Sequence, residues 1–173
     1  WQAVMNYDEC GGHGDENGKY HYHIVPGCLM ASLGGYTPNI TSWWLSSKPE
    51  SHWPKAVPPS QSPLLGFAVD GFAIYGPYDP ITGQLQLGPG TDCESSLDQC
   101  NGKALSNGQY AYFFTPNPPF VPTCVTGQVV GTAEDKTDLG NDNPNATGSG
   151  CPVGGYAPAS AGRWTNCRVR PQQ

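Results

Sequence analysis

No run of apolar residues in this sequence approaches the roughly 20 that a membrane-spanning helix needs. Nor does any basic cluster of the kind that tracks a nucleic-acid backbone occur. Charge of either sign is sparse: Asp, Glu, Lys and Arg make up 13% of the chain and leave a formal net charge of −6. That balance argues against a nucleic-acid partner and speaks for a soluble protein. No Gly-x-Ser-x-Gly elbow is present, so an esterase-type serine nucleophile has no sequence support. No separate general base or nucleophile stands at a convincing spacing, and enzyme status is left open. An export signal and an initiator methionine are also missing. The chain opens on Trp1, which is read as cleavage of a precursor before that residue.

Glycine (23) and proline (18) are abundant instead. Such punctuation does not suit a helical bundle. It predicts an all-β fold, mainly antiparallel and sandwich-like, with long ordered loops and few short helical turns. Seven cysteines, Cys10, Cys28, Cys93, Cys100, Cys124, Cys151 and Cys167, point to an oxidising compartment and a disulfide-stapled domain. The odd count leaves one cysteine for another chain, for a neighbouring subunit or for an N-terminal fragment of the same precursor. Two sequons, Asn39-Ile40-Thr41 and Asn145-Ala146-Thr147, fit a secreted glycoprotein.

One stretch concentrates the chemistry. Between Cys10 and Cys28 lie three of the four histidines: His13 in a glycine-rich loop, and His21 and His23 in the run Tyr20-His21-Tyr22-His23-Ile24-Val25. Alternate side chains of a strand share a face. His21 and His23 are therefore expected together, with Tyr20 and Tyr22 opposite. A Cys10–Cys28 bridge would close the loop and bring His13 back toward them. Three imidazoles suit a copper or zinc ion. The same residues can instead form a hydrogen-bonded polar network on a half-buried sheet, and both readings stand at this point.

Elsewhere, Pro63 to Asp79 is the most apolar segment and is expected to be a core strand, broken or bent at Asp70-Gly71. Asp70 can ligate the metal, orient a ligating histidine or cap local amides. Trp43, Trp44 and Trp53 either pack as a lid on the core or present an exposed platform for a glycan or protein partner. The run Tyr110-Ala111-Tyr112-Phe113 repeats the outline of Tyr20-His21-Tyr22-His23, and the two are expected to pair in one sheet.

Taken together, Cys10-Gly11-Gly12-His13, Tyr20-His21-Tyr22-His23, Pro26 with Cys28-Leu29, the Gly66 to Pro77 segment, Leu97 to Gly102 and Tyr110 to Cys124 resemble the YHYH domain family. The resemblance implies an extracellular or envelope-associated domain whose biochemical role is poorly defined. Members often carry histidines in the second tyrosine-rich strand, where this chain has Ala111 and Phe113. They also usually have a substantial segment before the first motif. The division expected is a YHYH-like domain over 1–127 and a Gly/Asn/Asp-rich loop with a disulfide-anchored tail over 128–173. Three functions follow: a secreted metal-binding domain using His13, His21 and His23 with Asp70, a structural matrix, wall or filament subunit, and a carbohydrate-binding module built on the tryptophans.

Overall fold

The computed structural model describes residues 7–90 and 96–127. Cys93, Cys151, Cys167, Asn145 and the expected loop and tail over 128–173 lie outside them. Among the described residues, six short strands and two short helices make up the regular structure. They are β1 (Gly12–Gly14), β2 (Tyr20–Tyr22), α1 (Gly27–Ser32), α2 (Ile40–Trp44), β3 (Leu64–Phe67), β4 (Ala73–Tyr75), β5 (Gly102–Ala104) and β6 (Tyr110–Phe113), with 3-10 turns at Pro49–His52 and Pro59–Gln61. β1 and β2 form a sheet of their own. The other four strands run in the order β3-β4-β6-β5. Three of the pairings are antiparallel and one, β4 with β6, is parallel. Among the described residues the regular structure is thus mostly short strands, in two small sheets, with few helices.

Two expectations change. β2 and β6, predicted as partners, lie in different sheets. Each pairs with the strand just before it in sequence, because a tight turn makes the local partner far cheaper to reach than a distant one. The apolar Pro63 to Asp79 segment does contain a break at Asp70-Gly71, but it forms a hairpin rather than a core strand. β3 lies at the sheet edge, with Phe67 67% exposed and Leu64 exposed, and Val69 just beyond the strand is exposed too.

The core is aromatic and sits beside the first hairpin. Ile24, Val25, Met30, Ile40, Trp43, Trp53 and Tyr78 are buried together, flanked by Tyr7, Tyr36, Trp44 and Phe120. A smaller cluster of Leu97, Leu105, Ala111 and Phe113 underlies the second hairpin. Ile24 and Val25 continue directly from the histidine strand, so burial of that apolar pair anchors the site next to it.

α2 shows how a sequon can carry structure. Asn39 is its N-cap, and its side chain accepts a hydrogen bond from the Ser42 amide at 2.9 Å. Asn39→Ala is expected to cost about 1 kcal/mol in denaturant unfolding of protein made in a host that does not glycosylate it.

Candidate metal centre and its metal-free twin

The first hairpin is built by two aspartates. Asp15 starts its turn: Oδ1 accepts from the amides of Asn17 and Lys19, each at 2.8 Å. Gly18 takes φ +79° there, a left-handed conformation that favours glycine. Asp8 clamps the open end. Its Oδ1 accepts from the amides of Cys10 and Gly12 at 2.9 and 3.0 Å, and its Oδ2 accepts from the Tyr20 hydroxyl at 2.7 Å. The phenol beside it, with the amides, holds the Asp8 carboxyl below its ordinary range. The same bond pushes the Tyr20 phenol up. A disulfide joins Cys10 to Cys28, the pairing the sequence suggested.

In this frame His13 lies directly across from His21 in the β1–β2 register. Ring centroids are 4.4 Å apart for His13 and His21, 4.6 Å for His21 and His23, and 5.2 Å for His13 and His23. One nitrogen from each of the three lies within 4.8 Å of the others. Tyr20 and Tyr22 stack edge-on at 5.4 Å. The expected separation of faces therefore holds, and His13 comes from a strand rather than a loop.

The donor set fits a transition metal on two observations. Nδ1 of His21 donates to the Lys19 carbonyl at 3.1 Å, which leaves its Nε2 as the lone-pair nitrogen, the orientation that outer contacts impose on ligating histidines. That Nε2 accepts a hydrogen bond from Nε2 of His23 at 2.8 Å, a proton that a metal ion would displace. Two metal–nitrogen bonds of about 2.0–2.1 Å at a tetrahedral angle need the nitrogens roughly 3.3 Å apart, so the rings need open only slightly. Second, Nε2 of His13 is buried with no hydrogen-bond partner, although buried polar atoms are normally paired. Desolvation, then the neighbouring His21 and His13, lowers the pKa of His23, which favours the neutral form that binds metal.

Asp70 is not in this group. Its Oδ2 accepts from the Tyr112 hydroxyl at 2.6 Å and from the amides of Thr126 and Gly127 at 3.2 and 2.9 Å. Of the roles foreseen, capping of local amides is met only by the Phe72 amide, 3.4 Å from Oδ1; the closer partners are distant in sequence. Trp43 and Trp53 are buried (0% and 4% exposed), and Trp44 packs edge-on against Tyr7 and Phe120. The three rings therefore form no open platform, because the chain uses them to fill its core. Asn39 is exposed. His52 lies on a 3-10 turn, where its carbonyl accepts from the Tyr36 hydroxyl at 3.2 Å.

The second hairpin reproduces the aspartate clamp, the Asn-Gly turn and the strand register of the first at a constant offset. Asp98 stands for Asp8: its Oδ1 accepts from the amides of Cys100 and Gly102, and its Oδ2 from the Tyr110 hydroxyl, at 2.9, 3.0 and 2.6 Å. Cys100 is bridged to Cys124. Gly12 and Gly102 answer to one need, since a Cβ at either would run into the phenol of Tyr20 or Tyr110. The β5–β6 register matches that of β1–β2. Where the first hairpin has His13, His21 and His23, the second has Lys103, Ala111 and Phe113. The Lys103 ammonium reaches Oδ2 of Asp79 at 2.8 Å and lies 5.9 Å from the centroid of the Phe113 ring. Only the Tyr-x-Tyr half of this repeat stands out at first sight in the sequence. Asp-x-Cys-x-Gly ahead of Asn-Gly-x-Tyr-x-Tyr, at one spacing in both copies, was the fuller signal.

Residues 2–87 match the family model described as YHYH protein. The chain carries a YHYH domain. No curated protein and no solved structure matches it. The YHYH match holds the histidine hairpin, the aromatic core and the β3–β4 hairpin, and it stops before the twin hairpin of β5 and β6. Among the described residues no helix is long and apolar enough to cross a membrane.

Proposed function

We propose that this YHYH domain is a secreted metal-binding domain in which His13, His21 and His23 hold one copper or zinc ion. The carrying observation is the unpartnered, buried Nε2 of His13 beside the facing Nε2 atoms of His21 and His23. Three imidazoles leave at least one coordination position open, the arrangement of sites that take an exogenous ligand. Asp70 is engaged elsewhere, so the ligand set reduces to the histidines. The cation of the twin hairpin supports the reading from a second direction: Lys103, at the place of His13, already carries a positive charge. Four disulfide-bonded cysteines support export. A glycan on Asn39 is compatible with its capping role, because the cap uses the oxygen and glycosylation takes the nitrogen.

Elemental analysis of natively purified protein tests this. One equivalent of copper or zinc per chain is expected, and protein that is metal-free as isolated and takes up neither ion on titration refutes it.

A structural role in an extracellular assembly is favoured by a different observation. Among the described residues β3 is an edge strand with Leu64 and Phe67 exposed and Val69 exposed just beyond it, and an apolar edge is a template for pairing. Sedimenting species that disappear with Phe67→Glu are expected on that reading. A monomer at all concentrations removes it.

A further inference from the structure

The tryptophans that fail as a platform form a chain that begins at the histidines. Tyr7 stands edge-on to His13, with ring centroids 5.6 Å apart, and meets Trp44 at 5.0 Å. From Trp44 the contacts pass to Trp43 at 6.3 Å, to Trp53 at 5.5 Å, and to Tyr36 at 5.9 Å. Every link is an oxidisable ring packed on the next. The path starts at the histidine cluster, crosses the buried core and ends at Tyr36, which is only partly buried.

Packing alone does not account for the choice of residues. The indole Nε1 atoms of Trp43 and Trp53 are buried and lack hydrogen-bond partners. Each such orphan costs about 1–3 kcal/mol, a cost that Phe or Leu would avoid in the same space. Unsatisfied buried groups of this kind call for an explanation such as a redox role.

We infer that Tyr7, Trp44, Trp43, Trp53 and Tyr36 form an electron relay that conducts oxidising equivalents from the histidine-bound metal to the protein surface. The inference rests on the metal reading and selects copper within it, because zinc has no redox chemistry. The oxidant is hydrogen peroxide. Copper(I) gives it one electron, and its O–O bond breaks to hydroxide and a hydroxyl radical. The radical takes one electron from the relay and one proton from solvent and becomes water. The electron is made good at Tyr36, whose phenol releases its proton to solvent and is left as a neutral phenoxyl radical. In sum, copper(I), peroxide and a phenol become copper(II), hydroxide, water and a phenoxyl. The oxidising equivalent leaves the ligating imidazoles intact and emerges where an external reductant can quench it.

The test uses the full chain loaded with one equivalent of copper, reduced with ascorbate and treated with hydrogen peroxide. Radicals are followed by electron paramagnetic resonance and oxidised residues are mapped by peptide mass spectrometry. Trp53 is a clean reporter, because at 4% exposure it is shielded from radicals diffusing in solution. Oxidation of Trp53 and Tyr36 is expected in the native protein. It should be lost in Trp44→Phe, which keeps a ring in place but breaks the path, with damage moving back to the histidines. Tyr7→Phe, which removes a single hydroxyl, should behave alike and serves if Trp44→Phe fails to fold. Unchanged oxidation of Trp53 in the folded variants overturns the relay, as does the absence of Trp53 and Tyr36 oxidation in copper-loaded native protein. Failure to bind copper overturns the relay by removing its source, and it is told apart by the copper content measured first.

Discussion

A His21→Ala, His23→Ala double variant is expected to remain folded and to lose its metal. Neither histidine belongs to the buried core clusters. The hairpin that carries them is held by the Asp8 clamp, the Asp15 turn and the Cys10–Cys28 bridge, none of which uses an imidazole. The twin hairpin makes the point directly, since it adopts the same register with Ala111 and Phe113 at these positions. Contacts that merely orient a ligand are worth about 10–100-fold in metal affinity. Removing two direct ligands exceeds that, so stoichiometric uptake should fall to background. The loss also appears in stability. A ligand present at a hundred times its dissociation constant stabilises the native state by about 2.7 kcal/mol, on the order of 10 °C in melting temperature for a domain of this size. Excess copper or zinc should raise the melting point of the native protein by that order and leave the variant unmoved. An equal rise in both would mean that the ion binds somewhere other than the histidines.

The twin hairpin carries the second large effect. Lys103→Met should destabilise the protein by about 3 kcal/mol at neutral pH, because removing one partner strands a buried charge. Asp79 is only 3% exposed. Burial alone would raise its carboxyl, but the Lys103 ammonium and the amides of Thr82 and Ile81 outweigh burial and hold it below the ordinary value. A carboxyl lowered on folding adds stability above its unfolded pKa of about 3.9, and that stability is lost as pH falls through the folded value. In the variant the ammonium is gone and burial pulls the carboxyl the other way. The gap between native and variant stability should therefore be widest near pH 7 and close as the pH drops below about 4. Denaturant unfolding at several pH values reads this out. A gap that does not change with pH would assign the loss to packing of the lysine stem.

Much of the histidine site was legible in the sequence because it is local. The two-residue period of a strand puts His21 and His23 on one face, and the bracketing cysteines place His13 within reach. Burial of Trp43 and Trp53 was legible for a similar reason: rings of that size are seldom left outside. What escaped depends on contacts distant in sequence. Nothing near Asp70 announces Tyr112 and Gly127 as its partners, and nothing near Lys103 announces Asp79. Apolar content misplaced β3, because hydrophobicity does not tell an edge strand from a central one. The expected pairing of β2 with β6 mistook likeness for proximity. They are alike because each closes its own hairpin.

The twin hairpin also bears on what an ion at the histidines would be to the protein. Asp98, Tyr110 and the Cys100–Cys124 bridge hold the same architecture with no imidazole in it, so the scaffold is complete before any metal arrives. A protein whose fold waits on its ion must keep that ion for life. On the proposed reading this hairpin stands without its ion, so an ion held by the three histidines would be exchangeable cargo rather than part of the framework.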